Sequence, residues 1–271
     1  MTVADLRFVE FSDGLGCYIP AGSDGEAEFI HREIFLDNCY LRHGITLSDS
    51  AVVVDVGANV GLFTLYVTAR WPGARVLAVE PIPDTFEALR ANLAHHDRTR
   101  VTALRTALGS RTAADVPFTC YPGHPGNATR YPEQKDAARA LLAELPGTEE
   151  DHEHRAHVLT GGHEVRLTVR RLSDVLASDV VTSVGPASIG LPEVIDLVKI
   201  DVEGAEADVL AGIDDADWRR IRQVVAEVHD QDDGRPTVRD ILTDRGFTVT
   251  SVPGDGLLGA LGAGTVFARQ P

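Results

Sequence analysis

With 271 residues and 44% hydrophobic content, the chain can bury one full α/β core, as one domain with appendages or two domains at most. A formal charge of −16 argues against nucleic acid as substrate, because phosphate binding calls for basic patches, and against an acidic carrier protein as docking partner. No apolar run is long enough to span a bilayer, the start Met1–Arg7 has no secretory apolar region, and Cys17, Cys39 and Cys120 are too scattered for a disulfide framework or a zinc knuckle, so a cytoplasmic, reducing setting is expected.

Residues Leu6–Phe11 roughly alternate, Ser12-Asp13-Gly14 offers a turn, and Cys17–Pro20 returns, which predicts a small hairpin. From Glu26 to Tyr40 the apolar Phe29, Ile30, Ile34 and Phe35 predict an amphipathic helix that breaks near Asp37-Asn38. Residues 1–48 are thus expected to form a hairpin and a cap helix ahead of the main domain, 49–271. Tyr40, Arg42 and His43 are candidates to touch a ligand beneath that cap, with plain surface packing as the alternative.

Val52–Val54 is an apolar, β-branched run that reads as a buried parallel strand. It turns into Asp55-Val-Gly57-Ala-Asn59-Val-Gly61, after which Leu62, Phe63, Leu65, Tyr66 and Ala69 predict a mostly apolar helix. A glycine-bearing turn lets backbone approach a ligand, and the helix N-terminus offers free N–H groups. The next strand, Arg75–Val79, ends at Glu80-Pro81, 23 positions after Gly57. That offset is close to the roughly 20 residues expected of an acid that grips ribose hydroxyls. The loop is G-x-N-x-G, without the second glycine that a pyrophosphate needs. Asp55 would place negative charge at the strand end, which suits a ligand with a ribose and a cationic amino-acid portion. S-adenosylmethionine is such a ligand.

Pro83-Asp84 opens a helix with Phe86, Leu89 and Leu93 on one face, and Val101–Leu108 reads as the third strand. Thr106 and Ala107, which close it, are candidates to flank an adenine. From about 115 to 165 the parallel pattern is interrupted by a turn-rich stretch, a short helix over Asp136–Leu145 and an acidic, histidine-bearing stretch. This segment is expected to be a lid over the substrate. His152, His154, His157 and His163 read as solvated loop residues, and no metal is assigned to them. Val165–Val169 predicts an added strand, and Ser173 is the expected N-cap of a short helix. Ile195–Ile200 is the fourth core strand, ending at Asp201-Val-Glu203-Gly204-Ala-Glu206, and Gln223–Val228 is the fifth, ending at His229-Asp230. Trp218–Ile221 and Thr237–Arg245 predict helical segments, and Phe247–Val252 with Thr265–Ala268 predict an antiparallel pair at the sheet edge.

Strands alternating with helices imply a doubly wound, mostly parallel sheet, whose ligands sit outside the carboxyl ends of the strands. Asp55, Glu80, Asp201, Glu203 and His229 should therefore converge. Taken together, Asp55–Gly61, Glu80-Pro81, Lys199-Ile-Asp-Val-Glu-Gly-Ala-Glu206 and Ala226-Glu-Val-His229 resemble the FkbM family of S-adenosylmethionine-dependent methyltransferases. Arg32–Phe35 and Tyr40–Gly44 are similar to those members that O-methylate macrolides of the tacrolimus type. The resemblance implies a seven-stranded Rossmann-like sheet, a cofactor site at Asp55, Gly57, Asn59, Gly61, Glu80, Pro81, Thr106, Ala107 and Tyr40, and methylation of a hydroxyl on a polyketide-like small molecule. It leaves a homodimer open.

Methyl transfer to an alcohol needs proximity and a base. His229 is the expected base, with Asp201 or Glu203 orienting it or acting directly, and Glu227 and Glu206 as supporting partners. Period-two alternation puts Glu227 and His229 on one strand face, and likewise Lys199 and Asp201, which suggests a buried ion pair for Lys199. A Mg2+ ion bridging Asp201 and another carboxylate is not favoured, since no adjacent Asp-Asn pair completes such a site. The alternatives are a sugar-hydroxyl methyltransferase, an NAD(P)-dependent oxidoreductase on the same sheet, and a non-catalytic accessory domain.

Overall fold

The computed structural model describes residues 5–121, 123–144, 160–178, 193–229, 236–254 and 263–271. The chain opens with the hairpin β1 (Leu6–Glu10) and β2 (Gly16–Pro20), turned at Asp13-Gly14. Helix α1 (Asp24–His31) passes into a π turn, Arg32–Leu36, closed by the Asp37 N–H on the Arg32 carbonyl. Asn38 then takes a left-handed φ of 51°, so the helix stops short of Tyr40.

Strand β3 (Val52–Val56), α2 (Leu62–Arg70), β4 (Arg75–Val79), α3 (Pro83–His95) and β5 (Val101–Leu104) form two successive βαβ crossovers. A smaller sheet follows, made of β6 (Ala107–Leu108), β7 (Ala113–Cys120) and β8 (His163–Arg170), with α4 (Pro132–Glu144) between β7 and β8. Then come α5 (Leu172–Leu176), β9 (Leu197–Ile200), α6 (Glu206–Ala211), α7 (Asp215–Trp218) and β10 (Gln223–His229). Helix α8 (Val238–Asp244), β11 (Thr248–Pro253) and β12 (Ala263–Arg269) end the fold.

The main sheet has seven strands in the order β11-β12-β10-β9-β3-β4-β5. Among the described residues its pairings are parallel except the two made by β12, which lies between β10 and the edge strand β11. Strand order reverses at β3, whose neighbours are β4 and β9, and this opens a crevice at their carboxyl ends. Every residue of β3 is buried, because helices cover both faces. Val52, Val54 and Val56 belong to a core with Leu172, Leu176, Leu210, Trp218 and Leu242, and Val53 to a core with Phe63, Val67 and Leu89. Such burial contributes about 1.5–3 kcal/mol per large side chain.

Three expectations are corrected. The third strand does not run unbroken from Val101 to Leu108. It leaves the main sheet after Leu104, where the Thr106 hydroxyl donates to the Thr168 carbonyl and Ala107-Leu108 pair with β8. Ser173 is not an N-cap: Arg171 holds that position, and the Ser173 hydroxyl accepts the Asp214 N–H at 2.8 Å. The insertion helix starts at Pro132, earlier than read, with proline at a favourable first position. Residues 145–159, with His152, His154 and His157, lie outside the described residues. Among the described residues no helix is long and apolar enough to cross a membrane, and the three cysteines are free thiols.

One buried side chain fastens the hairpin to the turn after β3. Asn92 of α3 is fully buried, accepts the Tyr18 N–H at 2.6 Å, and donates to the carbonyls of Tyr18 and Val60 at 2.9 and 2.8 Å. Replacing it strands several buried backbone groups, each costing about 1–3 kcal/mol. Asn92→Ala should lower stability by about 2–4 kcal/mol in urea unfolding, with an unchanged slope.

Candidate active site

The site begins beneath its own floor. In the parallel register Asp55 lies beside Lys199, and both are buried. The Lys199 ammonium donates to the Gly57 carbonyl at 2.8 Å and pairs with Asp55 at 3.3 Å and Asp201 at 3.6 Å. Burial alone would depress this ammonium, but Asp55 and Asp201 outweigh it and hold its pKa above the usual range. The second Asp55 oxygen accepts the Thr64 hydroxyl at 2.7 Å. Above the pair, Gly57 has φ +74°, and a Cβ there would lie 1.8 Å from the Asp201 carbonyl oxygen, so the loop and the end of β9 touch backbone to backbone.

Glu80, at the end of β4, is held by both oxygens. One accepts the Asn59 N–H and the other the Ile82 N–H, each at 2.9 Å. Burial still pushes this carboxyl up to about 7, with the two N–H donors opposing.

At the ends of β9 and β10 the charges crowd. His229 Nε2 lies 3.2 Å from Glu203 Oε2 and 3.9 Å from Glu227, and Nδ1 lies 3.4 Å from the buried Glu206. Burial would lower the imidazole, but Glu203 and Glu206 overcome it and hold His229 at about 10. Glu203 is kept below the usual carboxylate range against its burial by Lys135 and His229, whereas burial and Asp201 push Glu227 well up. Tyr40 donates its hydroxyl to Asp201 at 2.9 Å.

These groups line one cavity of about 280 Å3. Gly57, Asn59, Glu80, Pro81, Thr106 and Ala107 stand at the β4 and β6 end, and Tyr40, Asp201, Glu203 and His229 at the β9 and β10 end. Two of the candidates from the Asp55–Gly61 turn do not line it. Asp55 was expected to present its charge to the ligand, but it is spent below the loop on Thr64 and Lys199. Gly61 caps the start of α2 and faces Leu89. Arg42 bonds the Asp37 carbonyl and His43 packs on Phe267, so neither reaches the cavity.

The insertion supplies part of the wall: Phe118 from β7, then Gly126, Asn127, Gln134 and Lys135. The Gly126 N–H donates to Glu26 of α1 at 3.0 Å, and the Thr129 hydroxyl donates to the Glu203 carbonyl at 2.6 Å. Glu26, Glu33 and Lys135 were missed by sequence reasoning. Glu26, Phe29, Ile30 and Glu33 share one helical face by spacing, and that face meets the cavity, while Ala27, His31 and Ile34 meet the core. The two acids flanking the apolar pair were the available signal. Burial raises Glu26 to about 8, with the Gly126 N–H opposing and Glu203 adding, and raises Glu33 to about 7, with Asp201 adding. Among the described residues no group of three or more His, Cys, Asp or Glu is arranged to hold a metal ion.

A family model described as the Methyltransferase FkbM domain matches residues 55–249, well over half of the chain. The chain belongs to the FkbM methyltransferase family. This FkbM-family protein is 43% identical over 233 residues to the 31-O-demethyl-FK506 methyltransferase FkbM of Streptomyces tacrolimicus, covering 84% of each chain. It is 40% identical over 251 residues to Methyltransferase sdnD of Sordaria araneosa, covering 92% of each. The crystal structure of Methyltransferase FkbM from Methylobacillus flagellatus KT matches with a TM-score of 0.51 at 16% identity, over 88% of this chain and 47% of that one. That last likeness is one of fold alone. With its family shown, the chain is a methyltransferase on a Rossmann-like α/β sheet.

The raised groups give stability a definite pH trend. Glu26, Glu33 and Glu80 bind protons in the folded state up to about pH 7–8, whereas an unfolded Glu releases them near 4.5. His229 likewise holds its proton up to about 10 against 6.5 unfolded. Between these limits the native state binds more protons, so stability falls as pH rises. Thermal unfolding of the ligand-free protein should show Tm falling steadily from pH 5.5 to 9, and Glu26→Gln should flatten the part of that slope below pH 8.

Proposed function

We propose that this methyltransferase transfers a methyl group from S-adenosylmethionine to a hydroxyl of a polyketide- or macrolide-like natural product. The observation that carries this reading is the Glu80 carboxylate, fixed by two backbone N–H groups at the cavity edge, opposite a carboxylate-rich end. The donor set fits the cofactor. Glu80 offers anchored acceptors to a ribose diol. Val79, Ile82, Leu108 and Phe118 line the cavity with the apolar surface that a purine needs. Asp201 faces a cationic amino-acid portion, and Glu33 and Glu227, whose pKa values burial raises, can give up their protons in exchange for it. Bound there, the cofactor supplies an already activated methyl on a sulfonium.

The protein's own share is placement and the proton. His229 accepts the hydroxyl proton at Nε2, the nitrogen on the side of Glu203 and Glu227, which line the cavity, while Nδ1–H remains on Glu206 behind it. Glu206 thereby selects the tautomer and orients the ring. Asp201, steadied by Tyr40, faces the cofactor's cationic end, and the hydroxyl's one proton is left to His229. The insertion acts as the lid that excludes water, and with α1 it forms the wall that selects the substrate. The name of the Streptomyces relative, a 31-O-demethyl-FK506 methyltransferase, supports a macrolide hydroxyl as the acceptor. A small, nearly neutral molecule suits a chain of charge −16 better than nucleic acid or a carrier-bound acyl group.

Titration calorimetry tests the cofactor. S-adenosylmethionine and S-adenosylhomocysteine should bind at micromolar Kd, and NAD(H) should not. Glu80→Ala should weaken both by about 10- to 100-fold, from the about 1.5–3 kcal/mol that hydrogen bonds to a charged group are worth. No adenosyl binding at millimolar ligand would discard the reading.

A panel of macrolide and sugar alcohols then tests the chemistry. His229→Ala should lower kcat by about 10²- to 10⁴-fold. Because the base is the neutral imidazole, wild-type kcat should climb from pH 7 toward 10. Glu206→Gln removes a charge that holds the proton and should move that limb to lower pH. A flat profile with full activity in His229→Ala would end His229's role.

A further inference from the structure

Lys135 is one of two lysines in a chain whose other basic side chains, apart from histidine, are arginine. It rises from the first turns of α4, is buried, and pairs with Glu203 while donating to Asn127 Oδ1 at 3.1 Å. The Glu203 oxygen it takes is Oε2. That is the same oxygen that lies 3.2 Å from His229 Nε2. One carboxylate oxygen therefore serves two cations, one on the insertion and one at the end of β10.

We propose that Lys135 is a positioning residue for His229: by occupying Glu203 Oε2 it weakens that carboxylate's hold on the imidazole, leaves Nε2 available to the hydroxyl proton, and ties proton transfer to the seating of the insertion. The proposal rests on the reading of His229 as the base. In the step, the hydroxyl proton passes to Nε2, the Nδ1–H stays on Glu206 and the O–H electron pair stays on oxygen; an oxygen lone pair would form the new O–C bond while the methyl's bond to the donor sulfur would break, its electron pair leaving on the neutral thioether.

The surroundings of His229 leave little else to play this part. From its own strand it meets Glu227, from the turn after β9 Glu203, from the start of α6 Glu206, and from α4 Lys135, with Asp201 across the cavity and Glu26 and Glu33 on α1. All but Lys135 are carboxylates that favour the imidazolium. Lys135 is the cation among them, and it lowers the proton affinity of His229. Its burial keeps solvent from screening that effect.

Its seat is also built. Gly204 has φ +100°, and a Cβ there would lie 2.2 Å from Gln134 Oε1, the residue before Lys135. The Thr129 hydroxyl is bonded to the Glu203 carbonyl, and the Gly126 N–H to Glu26. The insertion thus grips the Glu203-Gly204 turn itself, and Lys135 reaches Glu203 when that grip is made.

The test reads His229 directly on the full chain without ligand, by titrating ring-labelled histidine in NMR with His229→Gln for assignment. It is run in wild type and in a Glu206→Gln background, which brings the midpoint toward neutral pH. Lys135→Met should raise the His229 midpoint by about one pH unit, a tenfold gain in proton affinity, and Lys135→Arg should leave it near wild type. In a Glu203→Gln background, Lys135→Met should have a clearly smaller effect, because only the direct repulsion between the two cations is left; an effect of undiminished size would overturn the route through Glu203. Lys135→Gln is measured in parallel and decides the matter if the methionine variant does not fold. A midpoint unmoved by loss of Lys135, with only Tm lowered, would make it a structural tether and overturn the proposal. Calorimetry with S-adenosylhomocysteine on the same wild-type protein separates the two readings: absent binding would sink methyl transfer and leave the measured midpoints to judge the Lys135 coupling alone.

Discussion

The site depends on one buried ammonium. Lys199 ties the turn after β3 to β9 through the Gly57 carbonyl, neutralises Asp55 within the sheet, and braces Asp201 at the sheet end. The Tyr40 ring lies 5.3 Å from it and sends its hydroxyl to Asp201, so the N-terminal segment is joined to the same charge. Taking these ions out of water costs several kcal/mol apiece, and only dense pairing offsets it. The arrangement buys geometry more than stability: three elements distant in sequence meet within one cluster of contacts, at the point where strand order reverses.

With its floor neutralised, the cavity above is left acidic. Glu26, Glu33, Glu80, Asp201, Glu203 and Glu227 face Lys135 and His229. Burial works against the charge of the five glutamates, and their pKa values differ according to what each one touches. Glu203 stays ionised because two cations meet it, while Glu227, crowded by Asp201, is pushed well up. Such a cavity holds protons when empty and is suited to exchange them for a cationic ligand.

Much of this was legible in the sequence because it follows from local pattern. The run Val52–Val54, the G-x-N-x-G turn and the strand-terminal Glu80 are one βαβ unit, and its position in an open sheet follows from general topology. The same-face pairing of Lys199 with Asp201, and of Glu227 with His229, needed only the period of a strand. Asp55 was misjudged because its partner is 144 residues away, and sequence alone cannot say that Lys199 consumes its charge from the next strand. The break at Arg105-Thr106 was hidden for a similar reason, since β6 exists only through its pairing with β8. Glu26 and Glu33 were passed over because an apolar pair on a helix reads first as core. Here Phe29, half exposed, faces the cavity instead.

Backbone strain marks the same ground. Asn59 and Glu203 are among the six described non-glycine residues with positive φ, at 52° and 56°, and each follows a core strand into the cavity. Asn59 tolerates this conformation because its side chain accepts the next N–H, that of Val60, at 2.6 Å. Glu203 has no such local remedy, and a residue of its kind in that region costs on the order of 1–3 kcal/mol. What offsets the cost comes from elsewhere: the Thr129 hydroxyl on its carbonyl, and Lys135 and His229 on its carboxylate. Two of those three come from the insertion. The segment that walls the cavity therefore also holds the strained turn in shape, and the turn in turn places the group beside His229. A change of wall that loosened Thr129 or Lys135 would reach His229 through Glu203, so the shape of that wall and the surroundings of His229 are not free to vary independently.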